Sequence, residues 1–413
     1  MKKIYDVCVV GGGASGMMAA ISAARNGKKV LILEKNQKLG AKLSISGGGR
    51  CNITNATYDI RVMLAHYGES HKYLFSTFNQ FGVQDTFDFF HALRLPLVVE
   101  ARNRAFPFTQ KSVTVTAALE KELYQLNVDV VAGQAVKKIN TGAGMILSVD
   151  AGAENYMADH FIFATGGMSH PETGSTGDGY RWLKNLGHTV IDPTPSLVPL
   201  ACSDTWIHEL SGTAFENVRI TFFVDEKRSF AKVGKILCTH FGLSGPQILN
   251  MSKKVADLLH EGNVTATINL YPDLNEKQLD EKFLKLFDNH KNKMFKTVIK
   301  DILPEGFYET FKKNFITEEE MQTPVHSVSV VMRKKFVKLL QALPVVISGL
   351  MGYDRAIVAD GGIPLEEVDM RTMKSLKISN LSVTGDLLHI MRPSGGFSLQ
   401  LCWSTGYVAG KNV

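Results

Sequence analysis

The chain has 413 residues, 45% of them hydrophobic and 21% charged, with 46 Lys and Arg against 40 Asp and Glu for a net charge of +6. This supplies a packed core for two domains, or one large domain with an insertion, and a mild positive balance without a long basic run makes nucleic acid an unlikely partner. No apolar run is long enough to span a bilayer, the stretch 4–10 contains Asp6 and runs into glycines rather than forming a signal-peptide core, and the scattered Cys8, Cys51, Cys202, Cys238 and Cys402 form no C-x-x-C pair, so reduced thiols in a cytoplasmic protein are expected.

Residues 4–10 are rich in β-formers and stop at Gly11-Gly12-Gly13-Ala14-Ser15-Gly16. Residues 17–25 then read as an Ala-rich helix, and 29–33 as a second buried strand closing at Glu34, the length of one βαβ unit. The stretch 56–126 carries helical patterning and ends in a helix with Val115, Leu119, Leu123 and Leu126 on one face behind Ser112 as its cap. Short strands are expected at 128–132, 135–139, 145–150 and 160–164, the last running into Thr165-Gly166-Gly167. Pro193, Pro195 and Pro199 mark a change of texture. Beyond it 219–224 reads as a strand, as does 264–270, where Val264, Ala266, Ile268 and Leu270 alternate with polar residues; 276–289 carries Leu279, Phe283, Leu286 and Phe287 at helical spacing, with more helix to about 343. Strand signals resume after Gly349, ending in a strand at 381–384, the turn Gly385-Asp386 and a helix at 397–409 opened by Gly395-Gly396. The expected architecture is α/β: one domain over 1–192 and 350–413, interrupted by an inserted β-plus-helical domain over 193–349.

G-x-G-x-x-G alone is a weak signal, but here it joins a strand to a helix. Gly11 permits the tight turn, Gly13 lets backbone approach a pyrophosphate, Gly16 allows helix to pack on strand, and the helix N-terminus offers free N–H groups to phosphate. Glu34 is placed to accept hydrogen bonds from ribose hydroxyls and disfavours a 2′-phosphate. This unit does not separate NAD from FAD. The second glycine-rich loop at 42–52, Lys-Leu-Ser-Ile-Ser-Gly-Gly-Gly-Arg-Cys-Asn, favours FAD, because consecutive glycine N–H groups form an anion-binding concavity and Arg50 adds a fixed positive charge.

Taken in order, Gly11 to Gly16, the run Ser46-Gly47-Gly48-Gly49-Arg50-Cys51-Asn52-Ile53-Thr54-Asn55, Ala164-Thr165-Gly166-Gly167, the Gly174 to Tyr180 segment and Thr239-His240-Phe241-Gly242-Leu243-Ser244-Gly245-Pro246 resemble the HI0933-like flavoprotein family, also called the BaiN/YhiN or aminoacetone oxidase-like type. The resemblance covers nearly the whole chain and implies a Rossmann-like FAD domain of the two-dinucleotide-binding type, built from both chain ends around the insert. It implies FAD contacts at Gly11, Gly13, Ala14, Ser15, Gly16, Glu34, Lys35, Lys42, Ser46, Gly47, Gly48, Gly49, Arg50, Cys51, Asn52, Val136, Thr165, Gly166, Gly167, Gly385, Asp386, Gly395, Gly396 and Phe397. The chain departs from the family pattern where Gly385-Asp386 replaces Gly-Glu, Gly395-Gly396-Phe397-Ser398 replaces Gly-Gly-Tyr-Asn, Ala359-Asp360-Gly361-Gly362-Ile363 replaces Thr-x-Gly-Gly-Val, and Asn103 replaces a glycine. Asp386 is still expected to accept hydrogen bonds from the ribityl chain.

FAD would carry the redox chemistry, with the helix opened by Gly395-Gly396 aiming N–H groups at the N1/O2 side of the ring. His240 is a candidate acid or substrate contact, against a structural role in which Ser244 and Pro246 open the next helix. Tyr180, Arg392 and Phe397 are candidate wall residues. No metal site is expected. The expected reaction is hydride transfer from a transient NAD(P)H donor through FAD to a small unsaturated or carbonyl substrate. The alternatives are an oxidase passing electrons from an amine such as aminoacetone to O₂, and an RNA-associated or sensory flavoprotein.

Overall fold

The computed structural model describes residues 4–413, which fall into two compact units: the chain up to Ser196 with Tyr353–Val413, and Leu197–Gly352. The first unit is built on a mainly parallel sheet. Strand β1 (Ile4–Val10) pairs in parallel with β2 (Val30–Glu34) across the helix α1 (Ala14–Arg25). Both strands are near-continuous apolar runs, as expected of a sheet covered on both faces, and Cys8, Val9, Leu31 and Ile32 are fully buried.

The stretch expected to be wholly helical is interrupted. After β3 (Thr54–Asn55) come helices Ile60–Ala65, His71–Gln80 and Val83–Ala92, and then an antiparallel pair, β4 (Leu97–Glu100) and β5 (Arg104–Pro107), with β5 also pairing with β3. The apolar run Leu97, Val98, Val99 is too short for a helix, and Arg102 and Asn103, both at positive φ, turn the chain back. The next helix, Ser112–Gln125, buries Val115, Leu119 and Leu123 as expected, but its cap residue is Lys111. Ser112 is already helical, and its hydroxyl donates to the Ser44 carbonyl of α2 (Ala41–Ile45).

Four strands follow: β6 (Asp129–Ala132), β7 (Val136–Gly142), β8 (Met145–Ala151) and β9 (Glu154–Phe163). β6 extends the sheet beside β2, β9 pairs in parallel with β1, and β7 and β8 form an antiparallel flap. β10 (Ile191–Ser196) carries Pro193 and Pro195, which a two-stranded ribbon tolerates. Its antiparallel pairing with a later strand carries the first unit past the expected boundary at 192.

The second unit contains a closed antiparallel barrel of β11 (Leu200–Cys202), β12 (Ala214–Val224), β13 (Lys227–Thr239), β14 (Gly242–Ser244), β15 (Val264–Asn269) and β16 (Leu343–Leu350). The alternation seen in the sequence buries Val264, Ala266 and Ile268. Helices Pro246–Glu261, Glu276–Asp288 and Val330–Gln341 join a core rich in phenylalanine, including Phe283, Phe295, Phe311 and Phe336. Ser244 does not cap the first of these helices: it pairs with Leu237 as a strand residue, and Gly245 at φ 96° makes the turn into Pro246.

The chain returns to the first unit through β17 (Val358–Gly362), the partner of β10, then β18 (Val368–Asp369), β19 (Lys374–Ser375) and β20 (Leu381–Val383). β20 lies parallel to β9, giving the order β18-β19-β20-β9-β1-β2-β6. The terminal helix, Phe397–Lys411, packs closely on α1. Gly406 and Gly410 permit that approach: a Cβ would stand 2.3 Å from the Ser15 carbonyl oxygen at the first and 2.1 Å from that of Ala19 at the second. Among the described residues no helix is long and apolar enough to cross a membrane, and no cluster of side chains is suited to hold a metal ion.

Candidate functional site

The β1–α1 turn brings the first set of candidates together. Gly11, at φ 108°, donates its N–H to the Leu33 carbonyl at 2.8 Å, and a Cβ on it would strike the Ala164 carbonyl at 2.4 Å. A Cβ on Gly16 would lie 1.9 Å from the Gly11 oxygen, so these two glycines are required by packing. Gly13 is different. Its φ of −82° suits any residue and a Cβ there would meet nothing within 4 Å, so the protein itself gives no reason for a glycine. It sits where the first N–H groups of α1, those of Ala14, Ser15 and Gly16, have no partner inside the helix. The position leaves room for a phosphate group to approach the backbone.

Glu34, at the end of β2, is aimed by two backbone amides: Gly12 donates to Oε2 at 2.7 Å and Asn36 to Oε1 at 2.8 Å. Beside it, Lys35 reaches Thr176 Oγ1 at 2.6 Å and Asp178 Oδ2 at 2.9 Å, while Asn36 donates to the Thr173 carbonyl at 2.9 Å. The Gly174 to Asp178 segment therefore closes over the β2 end, a role its sequence did not reveal. Val136, at the start of β7, is nearly buried close by, and the Gln134 N–H bonds to the Glu34 carbonyl at 3.1 Å.

The second glycine loop forms a left-handed run, with Gly47, Gly48 and Gly49 at φ 57°, 67° and 81°. A Cβ at Gly48 or Gly49 would meet only open space. Ser46 steadies the loop by bonding to the Leu43 carbonyl at 2.8 Å and accepting the Cys51 N–H at 3.0 Å on its own carbonyl. Cys51 is fully buried, in keeping with a packing role. Arg50 is already committed: it lies 4.0 Å over the Phe106 ring and bonds Glu100 and Gln110, so its charge is spent on β4 and the loop after β5.

The third set gathers at the ends of β9 and β20. Gly166 and Gly167 follow β9; a Cβ on Gly166 would lie 3.9 Å from Lys42 Nζ, and one on Gly167 3.1 Å from the Tyr180 hydroxyl. Lys42 donates to Ser169 Oγ at 3.1 Å and stands 3.8 Å from Asp386 Oδ2. Asp386 is also paired with Arg392, whose side chain is 1% exposed, and the Tyr180 hydroxyl donates to the Asp386 carbonyl at 2.6 Å. Both carboxylate oxygens of Asp386 thus have cationic partners inside the protein, so the expected ribityl contact would have to compete with them. Burial alone would raise this carboxyl; Arg392 and Lys42 outweigh it and hold it below the usual carboxylate range. Burial lowers the Lys42 ammonium, against the attraction of Asp386.

Gly385 stands against α1, where a Cβ would lie 2.8 Å from Ser15 Oγ; Ser15 itself bonds Thr384 at 3.2 Å. Phe397, the first residue of the terminal helix, is tilted against His66 with ring centres 4.5 Å apart, and its carbonyl accepts from Tyr67 at 2.8 Å. His66, Tyr67 and Asn36 were not singled out in the sequence, because each acts through a partner distant in the chain. His240 lies in the second unit, exposed on the turn between β13 and β14 and edge-on to Phe241 at 4.9 Å.

In the second glycine loop the buried Asn52 Oδ1 has no partner. An unsatisfied buried polar atom is costly. Together with the space at Gly13, Gly48 and Gly49, it fits an extended dinucleotide lying along the ends of β1, β2 and β9.

A parallel sheet with this glycine turn, acidic strand end and second glycine loop defines the class: a Rossmann-type FAD flavoprotein. The HI0933-like protein Rossmann domain matches residues 5–412, and the chain belongs to that family of FAD-dependent oxidoreductases. The 3-dehydro-bile acid delta(4,6)-reductase of Clostridium scindens is 27% identical, over 98% of this chain and 97% of its own. The ribosomal RNA dihydrouridine synthase of Haemophilus influenzae is also 27% identical, over 100% and 99%. Among solved structures, the 3-ketosteroid-delta4-(5alpha)-dehydrogenase of Rhodococcus jostii RHA1 superposes with a TM-score of 0.55 at 15% identity, covering 99% of this chain and 96% of its own, a likeness of fold.

Proposed function

We propose that the protein reduces a carbon–carbon double bond conjugated to a carbonyl in a small molecule, with FAD as bound cofactor and NAD(P)H as electron donor. The observation that carries the cofactor assignment is Gly13, a glycine that neither conformation nor packing requires, and the unpartnered Asn52 Oδ1 in the second glycine loop supports it. Gly13 and the first N–H groups of α1 would take the pyrophosphate, Glu34 the adenosine ribose, and the 47–52 loop the chain leading to the ring. When bound, FAD supplies the two-electron step between donor and substrate. Lys42, Asp386 and Arg392 would hold a fixed charge pattern beside it.

The reaction class draws on the two full-length relatives. A delta(4,6)-reductase of a 3-oxo bile acid and a dihydrouridine synthase both place two hydrogens across a double bond conjugated to a carbonyl. The second relative also favours another substrate, uridine within RNA, even though this chain has no long basic run.

Anaerobic mixing with NADH and NADPH is the test. Bleaching of the visible flavin band by one nucleotide, and its return on adding a 3-oxo-4-ene steroid, are the expected results. Bleaching by neither would remove the NAD(P)H donor, return with ribosomal RNA alone would transfer the substrate to uridine, and peroxide release with an amine would identify an oxidase.

A further inference from the structure

The run from Ser46 to Asn55 contains two devices. In its first half Gly48 and Gly49 face open space, whereas Ile53, Thr54 and Asn55 are buried and bound to the terminal helix. The Ile53 carbonyl accepts from Trp403 Nε1 at 2.9 Å, and the Thr54 hydroxyl donates to Gln400 Oε1 at 2.6 Å. Gly396 sits directly on this backbone, at φ 102°, where a Cβ would lie 2.3 Å from the Thr54 carbonyl carbon.

Asn55 makes the contact that sets direction. Its side-chain nitrogen donates to the Gly395 carbonyl and to the Arg102 carbonyl, each at 3.1 Å, while Oδ1 accepts from the Thr57 hydroxyl at 2.6 Å. Two carbonyl partners require the amino group on that side, which fixes the orientation of the amide. The second anchor is stiff: Arg102 and Asn103 are both held at positive φ, and the Asn103 carbonyl is itself bonded by the Ala56 N–H at 2.7 Å.

The Gly395–Gly396 peptide is trans, so its N–H points opposite to its C=O. With the carbonyl drawn toward Asn55, the Gly396 N–H faces away from β3. The first bond within the helix runs from Gln400 N to the Gly396 carbonyl at 3.1 Å, which leaves the N–H groups of Phe397, Ser398 and Leu399 without a partner inside the helix.

We propose that Asn55 is a positioning residue for the cofactor: by pinning the Gly395 carbonyl it aims the Gly396 N–H and the first-turn N–H groups of the terminal helix at the side of the flavin where negative charge gathers on reduction. This rests on the FAD reading above. Asn55 acts through Gly395, whose carbonyl it holds.

The test uses the FAD-loaded protein with Asn55→Ala, the near-isosteric Asn55→Asp and, as a control on helix docking, Trp403→Phe. Three quantities are read: FAD stoichiometry, the two-electron midpoint potential, and the affinity for sulfite, whose adduct places the same negative charge on the ring. Both Asn55 variants are expected to hold FAD fully, to have a lower potential and to bind sulfite about tenfold more weakly, the scale of one hydrogen bond to a charged group. Trp403→Phe is expected to match the wild type. Unchanged potential and sulfite affinity in both Asn55 variants would overturn the proposal, as would equal shifts in all three. Loss of FAD from both Asn55 variants but not from Trp403→Phe would assign Asn55 a structural role instead. A wild-type protein that takes up no FAD would defeat the underlying cofactor reading, which the stoichiometry alone reveals.

Discussion

The fully enclosed imidazole of His188 lies 2.7 Å from Glu367 Oε2 through Nδ1, and 2.8 Å from Ser375 Oγ through Nε2. The order Ser, His, Glu is that of a nucleophile, base and orienting acid. Here it is a clasp. Ser375 Oγ already accepts the N–H groups of Lys377 and Ile378, each at 3.0 Å, and is 7% exposed, so it has neither a lone pair nor a path for attack.

The clasp ties the first unit's stability to acid. Burial would raise the Glu367 carboxyl, but Lys377, Thr189 and His188 bring it down to about 2 from 4.5. A depressed carboxyl stabilises the fold fully above its unfolded pKa, and that contribution drains as pH falls from 4.5 toward 2. Glu367→Gln is expected to cost about 2 kcal/mol at neutral pH and to flatten the stability curve over this window. Urea unfolding at stepped pH checks it; curves that stay parallel to wild type would dismiss the clasp.

His160 gives a second acid response at higher pH. It is buried on β9, 3.0 Å from Ser382 Oγ, and burial, with Lys374 and Lys28, lowers it to about 4 from 6.5. The native state keeps it neutral, so stability is complete above 6.5 and falls as pH drops toward 4. His160→Gln is expected to remove the part of the slope in that interval, measured by melting temperature against pH.

Gly13→Ala should separate folding from cofactor binding. The backbone there is ordinary and a Cβ meets nothing, so stability is expected to stay within about 0.5 kcal/mol of wild type or rise slightly. FAD affinity is expected to fall at least tenfold, as read by fluorescence titration of apoprotein. In Gly16→Ala the Cβ would stand 1.9 Å from the Gly11 oxygen, and melting temperature is expected to drop as well. Equal FAD affinity in Gly13→Ala and wild type would defeat the pyrophosphate assignment.

Asp386→Asn leaves Arg392 enclosed without its anion. Removing one partner of a buried ion pair costs about 3 kcal/mol, far more than a surface pair, and denaturant unfolding should show a loss of that order. A change below about 1 kcal/mol would mean that water reaches the guanidinium.

The central strands and the glycine turn were legible in the sequence because they obey local rules: apolar runs for strands buried on both faces, and glycines at a strand-to-helix junction. The terminal strand and helix were legible for the same reason. The β4–β5 pair was not, since three apolar residues after Pro96 fit either pattern until the left-handed Arg102–Asn103 turn is seen. Charges were the least legible feature. Arg50 reads as a phosphate ligand until Glu100 and Gln110 are found holding it, and Asp386 reads as a free acceptor until Arg392 and Lys42 flank it. Asn55 lay within the most specific motif, yet its partners are 47 and 340 residues away, where no local pattern reaches.

The packing of α1 against the terminal helix also sets an order of assembly. Ser22 on α1 bonds the Tyr407 carbonyl at 2.9 Å across 385 residues of sequence, and the edge of β9 away from β1 waits for β20. On the ribosome, Leu197–Gly352 is one unbroken stretch and can close its barrel while synthesis continues. The nucleotide half must instead hold its apolar first hairpin of strand and helix open until the last turns emerge. Through that interval the face of α1 that Gly406 and Gly410 later meet stays exposed.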